Sequence, residues 1–495
     1  MGRSSGMVRL GILLVVALSA GGCAADPTVS PAPGTTTFTP IPSAEAGSPS
    51  PAGTFDGTVI LGSPTDRSVV ASVASASPVE IYVEHGPASG AYTARTSTVV
   101  ARDSIPVELV LDGLEADAPW YYRLRFRALG AGEFLAGSEA SFHTQRSSGA
   151  TFSFAVEADP HIGLDEKADP DLFRAALEDV RADHPDFLID LGDTFMGDKI
   201  GAGEERLEAA YVSLREAFGI SGPTVPLYLV NGNHDGEAGW SLAGDGHGIG
   251  ARATSARRLY YPNPERVAFY SGAATDAIEG LRDSSYAWEW GDALFVVLDP
   301  YSSTPRKPGP AGDLWDWTLG QTQHAWLENV LASSTKPYKL VFSHHLIGDV
   351  RGGVAQAGGY EWGGNGADGS AAFGSKRPGW SLPVHDLFVR YGVTIFFQGH
   401  DHLYAREELD GVVYQTVPQP ATVGGDVDRV AAEYGYASGV NLPSPGYLRV
   451  TVAPSGVTVD YIHTGLDGAD RSGHTNGAIV YSYTAGGVAE TGDVP

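Results

Sequence analysis

Five apolar runs, each about the length of a β-strand, break off into loops that carry Asp, Asn or His. FAVEADPHIG ends in Asp159 and His161, and LIDLGDTF in Asp193. LVNGNHDG supplies Asn233, His234 and Asp235, LVFSHHL supplies His344, and FFQGHDHL supplies His400 and His402. Helical patterns alternate with these runs: over 171–182, Leu172, Phe173, Ala176, Leu177 and Val180 recur at helical spacing. Further helices are expected over EERLEAAYVSLREAF and near 321–331 and 383–391. The pattern indicates a large α/β domain. In open α/β sheets ligands bind outside the carboxyl ends of the strands, so five such loops can converge on one site.

The residue types at these strand ends suit two metal ions. Imidazole and carboxylate without thiolate fit iron, manganese or zinc, and so many histidines argue against magnesium or calcium. A pair at i and i+2 in extended chain points both side chains the same way, far enough apart to serve neighbouring ions. His400 and His402 therefore lead one loop to both metals, and a carboxylate such as Asp193 can bridge ions about 4 Å apart.

Such a centre has to work on a strongly acidic chain. The 59 acidic residues outnumber the 32 basic ones, for a net charge of -27, which opposes a nucleic-acid backbone or an anionic membrane surface as partner. An anionic substrate needs a local positive field, and two divalent ions against Asp159 and Asp193 supply it.

The first residues read as a targeting segment: Arg3 and Arg9, an apolar run from Leu10 to Leu18, then small residues before Cys23, the only cysteine. AGGC resembles a bacterial lipobox, with Ala20 where that motif usually has Leu. Residues 1–23 are thus expected to be a lipoprotein signal with Cys23 lipidated, and 24–53, rich in Pro, Ser and Thr, a tether. The expected location is the cell surface or a periplasm-facing membrane, as a lipoprotein or as a soluble form released by cleavage of the tether. The membrane is contacted only through the anchor.

Short β-like runs separated by turn residues occupy 54–147 and indicate a β-sandwich. Its segment LDGLEADAPWYYRLRF resembles the tyrosine-corner region of fibronectin type III modules, with Trp120, Tyr121 and Tyr122 assigned to core and corner packing. The α/β domain is assigned to 150–486, followed by a tail at 487–495.

The ordered motifs D-x-H, GD, GNHD, a lone strand-end His and GHxH resemble the calcineurin-like metallophosphoesterases. The fibronectin-like region in front makes the layout similar to that of purple acid phosphatases. The resemblance implies a metallophosphoesterase β-sandwich flanked by helices and preceded by an all-β region. It also implies a dinuclear hydrolase of phosphate esters, a phosphatase or phosphodiesterase, with metal-bound hydroxide as nucleophile. Asp159, His161, Asp193 and His402 would hold one divalent or mixed-valence ion (Fe, Mn or Zn), and Asp193, Asn233, His344 and His400 the other. His234 would contact phosphate and protonate the leaving group, with Asp235 orienting it. The chain departs from the purple subgroup in having His161 where that group has Gly and Met196 where it has Tyr. A colourless protein follows, and a strong visible absorption band in the isolated enzyme would contradict that.

Two long connections, 236–284 and 348–380, are expected to form functional loops. Arg257, Arg258, Tyr260 and Tyr261 in the first could grip a leaving group, and Tyr360 and Trp362 in the second could line the rim. Asp186, Asp190, Asp299, His184, His324, His385, His463 and His474 read as structural. The rival reading is a surface binding or adhesion protein whose metal domain does not turn over; the complete ligand set disfavours it.

Overall fold

The computed structural model describes residues 39–40, 53–163, 167–200, 204–241, 248–265, 268–273, 284–308, 313–346, 351–466 and 473–487. The leader with Cys23, nearly all of the 24–53 tether and the tail after 487 lie outside the described residues. Among the described residues no helix is long and apolar enough to cross a membrane.

Two large sheets, one of nine strands and one of eight, face each other across the main core. In the first, strands Phe152–Glu157, Leu188–Asp190 and Leu227–Leu229 run parallel, with Val156 opposite Ile189 and Leu188 opposite Leu227. In the second, Ala293–Val297, Tyr338–Phe342, Ile395–Gln398 and Val412–Thr416 are likewise parallel. Between them Phe154 packs edge-on against Phe295, Phe342 and Phe397, with ring centroids 5.1, 6.2 and 6.4 Å away. Burial of such a side chain contributes roughly 1.5–3 kcal/mol, so this layer holds the two sheets in fixed relation.

Helices cover the outer faces. Helix Pro170–Asp183 begins where the sequence signals it, with the Asp169 side chain accepting from the Asp171 amide at 2.9 Å and Pro170 in the first turn. Its Phe173, Leu177 and Val180 pack with Ala155, Leu188 and Leu227 of the nine-stranded sheet. Helices Gly320–Ser333 and Val384–Tyr391 do the same on the eight-stranded sheet through Leu327, Leu331, Leu387 and Phe388. This α/β architecture places every motif loop at the carboxyl end of a parallel strand, on one rim.

Ahead of this domain the strands from Thr58 to His143 are all β, around a separate core that includes Trp120, Tyr122 and Phe126. They are not a free-standing bead. Strand Thr58–Gly62 pairs in parallel with Leu227–Leu229, so the nine-stranded sheet continues into this region. Arg146 forms a two-pronged ion pair with Asp186 at 2.8 Å, and the Tyr122 hydroxyl donates to the Pro223 carbonyl at 2.6 Å. Buried Arg215 spans the same seam, donating to Thr58 Oγ1 at 2.8 Å and to the Ser72 carbonyl at 2.6 Å.

Buried anchors pin the described parts of the two long connections. In 236–284 the 12-residue helix Ile249–Tyr260 sets Ala253, Ala256 and Tyr260 into the core with Tyr261. In the second, Glu361 is fully buried, accepting from the Leu319 amide at 2.8 Å and pairing with Arg377.

Candidate metal centre

The motif loops bring two groups of donors together: Asp159, His161 and His402, and Asp193, His344 and His400. Within each group the ligand atoms lie within 4.8 Å of one another. Asp193 sits between the groups, its Oδ2 at 3.5 Å from His161 Nε2 and 3.4 Å from His344 Nε2. Asp159 Oδ1 is 3.6 Å from His161 Nε2, 3.5 Å from His402 Nε2 and 3.7 Å from His344 Nε2. Asn233 completes the set expected from the sequence, with Oδ1 at 3.2 Å from His344 Nε2.

The local backbone is unusual. Asp159, His161, Asp193, His400 and His402 all have positive φ, between 51° and 68°. A non-glycine residue held there costs of order 1–3 kcal/mol and persists only where its surroundings over-determine it. The i and i+2 histidines therefore do not point as strand alternation suggests. The chain leaves the strand at Gln398, and the turn itself sends His402 to one group and His400 to the other.

Two glycines show why the motifs read GN and GH. A Cβ on Gly232 would lie 2.3 Å from Asp193 Oδ1, and one on Gly399 would lie 2.6 Å from Asp159 Oδ2. Only hydrogen can stand at either position while the carboxylates keep their places.

The donor set fits metal ions. Asp159 and Asp193 are almost fully buried, and Asp159 Oδ1 has no hydrogen-bond partner among the described residues. Buried carboxylates of this kind require cationic compensation. Burial alone would raise both carboxyls, but His344 and His161 beside them, with His402 at Asp159, hold them below their ordinary values. Conversely, burial would lower His161 and His344, yet Asp159 and Asp193 push the two imidazoles up to about 10 and about 9. His400 is held well below its usual value, by burial first and then by His345, Arg351 and His344, and so stays neutral. All the donors are N or O, a set that suits Fe, Mn or Zn.

His234 lies at the edge of the cluster, its ring 6.3 Å from that of His161. The partner of its Nδ1 is Asp198, at 3.0 Å, rather than Asp235. Asp235 turns away from His234 and accepts from the amides of Asp193, Thr194, Phe195 and Gly232 at 2.7–2.9 Å. It ties the GD loop to the GNHD loop. That role was invisible in the sequence, since adjacency to His234 suggests contact, while successive residues in the turn face different ways. Asp198 had only the weak signal of a second Gly-Asp pair close behind the first. Gln419 and Ser444 also reach the site, donating to the Asp159 carbonyl at 3.1 Å and the His402 carbonyl at 3.0 Å. Nothing local in the sequence marks either.

The proposed substrate residues are not brought together. Arg257 is 2% exposed and paired with Glu237 at 2.6 Å, so it is a core ion pair and not a substrate grip. Trp362 is buried, its Nε1 donating to the Tyr414 hydroxyl at 3.0 Å, and cannot line a rim. Tyr261 is buried and donates to the Tyr211 carbonyl at 3.0 Å, and Tyr260 is buried too. Arg258 is exposed on the same helix, and half-buried Tyr360 packs edge-on to Trp315.

Residues 152–404 match the calcineurin-like phosphoesterase family, a stretch of just over half the chain that holds every motif residue from Asp159 to His402. The chain belongs to that family. Its members are divalent-metal phosphoesterases, which agrees with the two donor groups. A curated relative, rabbit (Oryctolagus cuniculus) tartrate-resistant acid phosphatase type 5, is 23% identical over 295 residues, covering 56% of this chain and 75% of that protein. Among solved structures, PhoD aligns with a TM-score of 0.59 at 16% identity, covering 83% of this chain and 88% of PhoD. Purple acid phosphatase PPD1 from yellow lupin (Lupinus luteus) seeds aligns with a TM-score of 0.55 at 16% identity, covering 87% of this chain and 74% of that one. At such identities the likeness is one of fold.

Proposed function

We propose that this phosphoesterase hydrolyses phosphate esters at a pair of metal ions shared between the two donor groups. The observation that carries this reading is Asp193 Oδ2, nearly equidistant from His161 and His344 at 3.5 and 3.4 Å. One carboxylate oxygen so placed can serve both ions, as in two-metal hydrolytic sites. Asp159, His161 and His402 would hold one ion, and Asn233, His344 and His400 the other, with Asp193 common to both. When bound, the ions would neutralise charge on the phosphoryl oxygens and lower the pKa of water, so that hydroxide is available as the nucleophile near neutral pH.

The chain's own contribution to proton transfer is His234. Its Nδ1 lies 3.0 Å from Asp198 Oδ2, a contact that fixes the ring and leaves Nε2 to pass a proton to the departing alkoxide. The His234 amide donates to Asp193 Oδ1 at 2.7 Å, so the acid is held in register with the bridging carboxylate. His234→Ala should lower kcat by about 10²–10⁴-fold on an alkyl phosphate ester while metal content stays unchanged. The loss should be smaller on p-nitrophenyl esters, whose leaving group needs little protonation. Equal losses on both esters would remove His234 as the acid.

Monoester and diester preference is decided by one ratio: kcat/KM for bis-p-nitrophenyl phosphate over that for p-nitrophenyl phosphate, with protein loaded separately with Mn, Zn or Fe. A high ratio assigns a phosphodiesterase and a low one a phosphomonoesterase, whereas no turnover with any metal would sink the hydrolase reading. We further propose an exported lipoprotein anchored at Cys23 and displayed on the 24–53 tether; metabolic labelling with a fatty-acid analogue, lost in Cys23→Ser, tests it.

A further inference from the structure

The GHDH turn carries a third polar residue, Asp401, between its two histidines, and its carboxylate is turned away from the donor groups. It is 2% exposed. Its Oδ2 accepts from the Gly352 amide at 2.7 Å and from the Tyr436 hydroxyl at 2.6 Å. The same Tyr436 hydroxyl meets Thr416 Oγ1 at 2.8 Å and accepts from Gln398 Nε2 at 3.0 Å, so the last residues of two adjacent strands are bound into one knot with it. Arg351 adds a second tie. Its guanidinium donates to the His400 carbonyl, lies 3.4 Å from Asp401 Oδ1, and stacks 5.0 Å over the ring of Tyr434.

We propose that Asp401, with Tyr436 and Arg351, is the positioning device that keeps His400 and His402 in left-handed backbone geometry and so directs one imidazole to each donor group. Both flanking residues have positive φ, 68° and 61°, and a turn with two such residues relaxes to extended chain unless something outside it holds it. On the site side, the His400 amide donates to Asp159 Oδ2 at 2.7 Å. On the far side, Asp401 and Arg351 tie the turn, and Ser444 adds a hydrogen bond to the His402 carbonyl. A buried carboxylate between two ligands is not needed for packing alone, where an apolar residue would avoid its desolvation. The clamp also couples the 351–352 segment and the helix Val427–Tyr434 region to the centre, although neither supplies a ligand.

The inference rests on the reading of His400 and His402 as metal ligands, and the test separates the two. Mn²⁺ binding to the full chain is measured by calorimetric titration for the wild type and for Tyr436→Phe, Asp401→Asn, Asp401→Ala and Glu361→Gln. Outer-sphere partners of metal ligands typically contribute 10–100-fold in affinity. Asp401→Ala should therefore weaken both ions by about 100-fold. Tyr436→Phe and Asp401→Asn, which keep part of the knot, should weaken them by about tenfold. Glu361→Gln, which loosens a buried carboxylate away from the ligands, should lower thermal stability with Mn²⁺ affinity unchanged. A folded Asp401→Ala that binds two Mn²⁺ as tightly as the wild type overturns the clamp. Should that variant not fold, wild-type affinity in Tyr436→Phe overturns it equally. A wild type that binds no pair of ions overturns the metal reading, and the clamp with it.

Discussion

Replacing Asp193 with alanine is expected to lower kcat/KM by about 10³-fold or more and to reduce bound metal from two ions per chain to one or none. The carboxylate stands between the two donor groups, 3.5 Å from His161 and 3.4 Å from His344, and is 1% exposed. Its removal would take a donor from between both groups and leave Asp159 as the remaining carboxylate that holds His161 and His344 above their ordinary pKa. Transition-state stabilisation by metal ions is worth several kcal/mol, and at about 1.4 kcal/mol per factor of ten this sets the size of the loss. The check is metal content by plasma emission spectrometry beside kinetics on the same folded preparation. Two tightly bound ions with near-normal turnover would rule out a shared carboxylate.

Arg257→Ala is expected to act on stability and not on substrate affinity. Arg257 donates to Glu237 at 2.6 and 3.2 Å and to Asn263 Oδ1 at 2.6 Å, and both members of the ion pair are at most 2% exposed. Truncating one side leaves the Glu237 carboxylate buried without its cation, a change that costs about 3–5 kcal/mol. The melting temperature should fall by about 5 °C. Replacing both partners, Arg257→Met with Glu237→Leu, should recover much of that loss, because the penalty comes from the uncompensated charge. Thermal unfolding of the wild type and the two variants decides this. A raised KM with an unchanged melting temperature would restore Arg257 as a substrate contact.

The Arg257 case shows where reading the chain in one dimension stops. A basic pair in a long connection between strands looks exposed and ready to bind an anion. Helix Ile249–Tyr260 instead turns Arg257 inward and leaves Arg258 outside. The same limit applied to Trp362 and Tyr261, whose aromatic rings served the core. It applied as well to Asp235, which spends its carboxylate on four backbone amides.

The two donor groups were legible because they are written in local terms. Apolar strands ending in Asp, Asn or His, each entered through a small residue or a tight turn, mark a strand-end site whatever the rest of the molecule does. Helix Pro170–Asp183 was legible for the same reason, since its Asp-Pro start and its periodicity lie within one stretch of chain. By itself the sequence determined the α/β class, the order of the motifs and the residues available to bind metal. Only the tertiary structure decided how they are held. Asp198 steadies His234, Asp235 joins two loops, Gln419 and Ser444 reach in from the far end of the chain, and Asp401 locks a turn with two left-handed residues. These are contacts across tens to hundreds of positions, made by hydrogen bonds whose partners exist only after the sheets have packed.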